Sequence, residues 1–171
     1  MKYSRHGCLL RALAVVMAAV PALAAARPPP LAAQEAELRA TLAPTAAVVL
    51  PLDSALTVRL PIRLAFVPDE NELLPAAKSA LDLLARSLHR YRHTQIVVAV
   101  YTDAIGTEAF NQEQSKARAA VVAEYLKGKG VAAARLIVRG AGESAPLSPE
   151  QTAEGRDQNR RLEVSISALS S

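Results

Sequence analysis

Residues 96–126 read IVVAVYTDAIGTEAFNQEQSKARAAVVAEYL, and this stretch decides the fold. Ile96 to Tyr101 is a short run of β-branched, apolar and aromatic residues, the length of one buried strand. The run stops at Thr102-Asp103. From Thr107 the chain is rich in Ala, Glu, Gln and Lys, with no Pro or Gly before Gly128. Ala117, Val121 and Tyr125 recur at four-residue steps, which predicts one buried face of a helix. Asn111, Ser115 and Arg118 are spaced by four and three and predict a neighbouring polar stripe. A carboxylate at a strand end and a guanidinium on the following helix are thereby brought toward one place. Two readings fit. Asp103 and Arg118 either grip a zwitterion, ammonium on Asp and carboxylate on Arg, or act as a turn cap and a surface ion pair.

The spacing Thr102-Asp103, Gly106, Asn111, Ser115, Arg118-Ala119 resembles the T-D-x-x-G-x-x-x-x-N-x-x-x-S-x-x-R-A signature of OmpA-like peptidoglycan-binding domains. Two further segments, in the same order, carry the resemblance on. Arg135-Leu136 followed by Gly140-Ala141-Gly142-Glu143 and Pro146 resembles the family's R-[IL] and G-x-G-E-x-x-P stretch. Asn159-Arg160-Arg161-Leu162-Glu163 resembles its N-R-R-[VI]-E ending. Upstream, Phe66 and Leu73-x-Pro75 are similar to the family's first strand and helix start. The resemblance covers roughly residues 60–167. It implies that Asp103 and Arg118 hold the ammonium and carboxylate of diaminopimelate in the peptidoglycan stem peptide. It places Thr102, Asn111 and Arg161 near that ligand, and Asn71 or Asp69 on a contacting loop. Two departures stand beside it. Val100 replaces a glycine usual before the Thr-Asp pair, and Gln114 replaces an apolar residue, so the alternative is a degenerate pocket on a protein-interaction module.

The first 26 residues predict a secretory signal: Lys2, Arg5 and Arg11 are basic, Ala12 to Val20 is apolar, and small-x-small cleavage sites follow. The uncharged run is shorter than the roughly 20 residues of a spanning helix. Without this segment the 20 basic residues fall to 17 against 16 acidic ones, and with no Trp present a nucleic-acid partner is not supported. Cys8, the single cysteine, lies within the signal and precedes its apolar run, which argues against lipid attachment. Localisation is therefore expected in the periplasm.

Residues 27–55 read as a Pro/Ala-rich linker with a weak helical stripe at Leu31, Leu38 and Leu42, and offer a segment for another envelope protein. Residues 56–171 read as the domain. Alternation from Leu56 to Phe66 predicts a strand, with Pro61 placing it at an edge or bending it. Leu73-Leu74-Pro75 opens a helix whose core face is Ala77, Leu81, Leu84, Leu88 and Tyr91. Leu136 to Arg139 and Leu162 to Ser167 are two further strands around a loop at 140–152. The expected fold is a two-layer α/β sandwich, β-α-β-α-β-β, with helices on one face of a mixed four-stranded sheet. His89 and His93 have helical metal-ligand spacing but no third ligand in view. No nucleophile motif or cofactor fingerprint is present, so a non-enzymatic binding domain without a cofactor is expected.

Overall fold

The computed structural model describes residues 29–52 and 54–169. The expected signal and Cys8 lie outside the described residues. The chain runs α1 (Pro29–Leu42), β1 (Val48–Leu52), β2 (Ala55–Pro61), α2 (Ile62–Ala65), α3 (Pro75–Arg90), β3 (Thr94–Tyr101), α4 (Glu108–Gly128), β4 (Leu136–Gly142), α5 (Ala153–Asn159) and β5 (Arg161–Ala168). The five strands form one sheet in the order β1-β2-β5-β3-β4. Only β3 and β4 pair in parallel, across the α4 crossover, and the other neighbours are antiparallel.

The α/β sandwich is as the sequence predicts, with one strand more. That strand, β1, comes from the segment read as a linker. Its Val49 is buried, and Leu31, Leu38 and Leu42 of α1 join the same core as Leu81, Leu84 and Leu88 of α3. Spacings of seven and four residues put the three leucines on one side of α1, and burying each leucine side chain contributes about 2 kcal/mol. Proline in the first turn is compatible with a helix because the missing N–H has no intrahelical acceptor there.

Strand β2 ends at Pro61, and the predicted continuation to Phe66 folds instead as the short helix α2. Pro61 closes the ladder at Arg161, and Ile62 and Ala65 turn inward with helical spacing. Phe66 then makes an isolated bridge to Leu73, which starts α3 with Pro75 in its first turn. The predicted 140–152 loop starts later, because β4 runs on to Gly142, and it is followed by α5, about two polar turns that carry no apolar periodicity.

Leu56, Val58 and Leu60 of β2, Ile96, Val98 and Val100 of β3, and Leu162, Val164 and Ile166 of β5 face the helices. The alternate residues face the other way, where the 143–159 segment folds over one end of the sheet. Gly140 marks how tightly α4 sits on β4: a Cβ there would lie 2.7 Å from the backbone nitrogen of Lys116. No described helix is long and apolar enough to cross a membrane.

Candidate functional site

Strand β3 ends at the turn that carries Thr102 and Asp103, and α4 begins five residues later. Thr107 caps the helix by accepting the Phe110 N–H at 3.2 Å. Gly106 lets the turn close, with φ +107°, a conformation that glycine alone adopts without strain. Asp103 makes an Asx-type contact, Oδ1 accepting the Ile105 N–H at 3.2 Å, while its backbone carbonyl accepts from Asn111 Nδ2 at 3.2 Å. The same Asn111 amide donates to Glu143 at 2.9 Å. The Asp103 side chain is therefore fixed from the turn below, and its backbone from α4.

The stripe Asn111, Ser115, Arg118 is buried, along with Ala119, Val122 and Leu126. Ala117, Val121 and Tyr125 are only half-buried. The buried face of α4 is thus turned from the one that apolar spacing predicts, because polar side chains occupy its first two turns. Ser115 explains one of them: its hydroxyl accepts the Gly142 N–H at 2.9 Å and donates to the Gln112 carbonyl at 3.0 Å. Asn111 and Arg118 are seven residues apart, about 10 Å along the helix axis. Side chains tilt toward a helix N-terminus, so a long arginine at 118 reaches back toward the Asp103 turn.

Arg118 is only 8% exposed. Among the described residues it makes one hydrogen bond, from an Nη to the Glu70 carbonyl at 3.2 Å, its Nε has no partner, and its guanidinium lies 5.4 Å from the centre of the Phe66 ring. Among the described residues no carboxylate comes within the 4.0 Å of an ion pair. Burial pulls its pKa below the ordinary arginine value, against the Asp69 carboxylate, which raises it. Thr102 Oγ1 is a second buried polar atom without a partner, although the Thr102 N–H donates to the Gly142 carbonyl at 2.8 Å.

Asp103 and Arg118 are not paired with each other. Asp103 Oδ2 instead meets Arg160, which also contacts Asp157 at 3.3 Å. Arg161, the arginine singled out from the N-R-R ending, points to the opposite side of the sheet. It is buried there, with Nε on Glu163 at 2.9 Å, Nη atoms on the carbonyls of Asn159 and Ala145, and its plane 3.6 Å above the Tyr101 ring. The alternation of β5 explains this: with Leu162 inward, Arg161 must face outward and Arg160, just before the strand, is left beside Asp103. The adjacent Arg-Arg pair was the only sequence signal for Arg160.

Asn71 is exposed on the loop whose Glu70 carbonyl holds Arg118. With Asp69, Phe110, Glu113, Gln114 and Ala117 it lines a cleft of about 370 Å³ on the flank of α4. Asp69 sits in the left-handed region at φ 60°, which Asp tolerates better than most residues. A larger groove, about 490 Å³, lies on the other side of the sheet around Arg59, Arg63 and Arg161, away from the Asp103 turn. Val100 points into the core, so its bulk relative to glycine is absorbed by packing. His89 contacts the Lys129 carbonyl at 2.8 Å, and no group of three or more metal-ligating side chains occurs among the described residues.

These residues sit in a familiar frame. Outer membrane protein A of Bordetella avium is 39% identical over 98 residues, which is 57% of this chain and 50% of that protein. Peptidoglycan-binding protein ArfA of Mycobacterium tuberculosis is 35% identical over 103 residues, 60% of this chain and 32% of that protein. The chain therefore spans half or less of the length of these two relatives. The crystal structure of a MotB-like protein from Desulfovibrio vulgaris matches with a TM-score of 0.74 at 28% identity, over 81% of this chain and 94% of that one. The model of the OmpA family matches residues 65–160, from the end of α2 through the Asp103 turn and Arg118 to Arg160, and the chain belongs to that family.

Proposed function

We propose that this chain binds peptidoglycan without covalent chemistry, taking the zwitterionic end of the stem peptide's diamino acid, of diaminopimelate type. Arg118 receives the carboxylate and Asp103 the ammonium. The observation that carries the reading is the buried guanidinium of Arg118, which among the described residues has no ion-pair partner within 4.0 Å, an unpartnered Nε, and only the more distant Asp69 carboxylate acting on its charge. A cation removed from water without a counter-ion is destabilising, and a ligand carboxylate supplies the missing partner through charge-assisted hydrogen bonds. The unpartnered Thr102 Oγ1 is a second atom for the ligand to satisfy. The relative named as peptidoglycan-binding agrees with this reading. Asn111 serves by holding the Asp103 turn, Asn71 by lining the approach from the α4 flank, and Arg161 by supporting the sheet beneath. The cell envelope, outside the inner membrane, is the compartment where such a ligand is met, and another envelope protein is the partner proposed for the N-terminal segment.

A second reading is a protein-interaction module with a closed pocket, and the Asp103–Arg160 pair favours it by partly neutralising the carboxylate. Co-sedimentation with purified sacculi separates the two. The peptidoglycan reading expects the protein in the pellet, and Asp103→Asn and Arg118→Met variants in the supernatant. A parent protein that stays soluble overturns it in favour of the interaction module.

A further inference from the structure

Four charged groups run in alternation outward from the Asp103 turn. Asp103 Oδ2 faces Arg160, Arg160 Nη2 faces Asp157 Oδ1 at 3.3 Å, and Asp157 Oδ2 accepts from Arg63 Nε at 3.0 Å. The outer two belong to short helices, α2 and α5, that meet beside the end of β2. Arg160 is thus shared between two carboxylates, and one of those is itself shared with Arg63. The other acids near the turn are held elsewhere: Glu143 by Asn111 at 2.9 Å, and Glu150 by the Ala104 N–H at 3.2 Å.

We infer that Asp157, and Arg63 acting through it, are positioning residues that set how much of the Asp103 charge remains for a ligand ammonium. The inference rests on the proposed role of Asp103. A guanidinium devoted to Asp103 alone neutralises that carboxylate and competes with an incoming ammonium. Asp157 draws Arg160 partly away and leaves Asp103 with residual negative potential. Arg63 opposes this by occupying the other oxygen of Asp157. The two outer residues therefore act on the same site with opposite sign, although they touch each other and reach Asp103 only through Arg160.

The opposite signs give the test. Binding of meso-diaminopimelate by the protein is measured by calorimetry for the parent, Asp157→Asn, Asp157→Glu and Arg63→Gln. Asp157→Asn weakens binding about two- to fivefold, the range of a part-exposed ion pair. Arg63→Gln tightens it by about twofold or less, since the charge lies one residue further out and is more screened. Asp157→Glu restores the parent affinity. A structural clamp alone would make Asp157→Asn and Arg63→Gln fail together, so equal weakening, or no change in either, overturns the inference while leaving parent binding intact. A parent that does not bind diaminopimelate overturns the proposed grip and this inference with it.

Discussion

Arg118 and Arg161 are both buried, yet they are held in opposite ways. Arg161 is saturated: a carboxylate, two backbone carbonyls and an aromatic face account for its guanidinium. Arg118 has one carbonyl, a more distant ring and an unpartnered Nε. Burial of a charge is tolerated when it is paired and hydrogen-bonded, as on the outer side of β5. Where an ion pair is missing among the described residues, as on α4, the fold bears a destabilising group. The contrast marks Arg161 as a structural arginine, whereas Arg118 is the one proposed above to bind, and so gives different roles to two arginines that the family motifs both place near the ligand.

The largest effect that would sharpen this contrast is on stability. Arg161→Ala should lower the unfolding free energy by about 3 kcal/mol, near the low end for a broken buried pair because Arg59 still faces Glu163 at 2.8 Å. Denaturant titration checks it, and folded protein that remains should still bind sacculi. Arg118→Met should do the opposite. It should remove charge-assisted contacts worth about 1.5–3 kcal/mol of binding, about ten- to a hundredfold in affinity, while the melting temperature stays level or rises because an uncompensated buried cation is gone.

Ser115 lies between Asn111 and Arg118 on α4 but is satisfied like Arg161, so Ser115→Ala should act on stability. Leaving the buried Gly142 N–H unpaired costs about 1.5 kcal/mol, a few degrees in a thermal melt. A loss of ligand affinity with an unchanged melt would instead place Ser115 with Arg118 and break the division. Smallest is Tyr101→Leu, which removes the ring under Arg161 and should cost about 0.5–1 kcal/mol of stability with no change in binding.

The same contrast explains which parts were legible in the sequence. Strands β2, β3 and β5 carry regular alternation, and the helix start at Leu74-Pro75 carries its own signal, so these strands and α3 were predicted close to where they lie, apart from the 62–66 continuation of β2 that folds as α2. Helix α4 was predicted in extent but rotated in face, because periodicity counts apolar residues and the buried side of its first turns is Asn111, Ser115 and Arg118. A sequence pattern cannot tell a polar residue that faces water from one that faces an unfilled partner. The leucine stripe of α1 was visible, yet its Pro/Ala-rich setting read as a linker, while β1 is a five-residue edge strand containing Pro51. Asp103, Asn111 and Arg118 were singled out as candidates through motif spacing. Arg160 was not, since the neighbouring Arg161 drew the assignment and only the phase of β5 decides which of the two faces Asp103.

The central claim is that Arg118 is kept buried and unpaired in order to bind. Its most direct test is a paired measurement on Arg118→Met: co-sedimentation with purified sacculi and a thermal melt of the same sample. The account predicts that the variant leaves the pellet while its melting temperature is equal to or above that of the parent. A variant that still pellets with sacculi, or one that loses binding only because it unfolds below the parent's melting temperature, would contradict it.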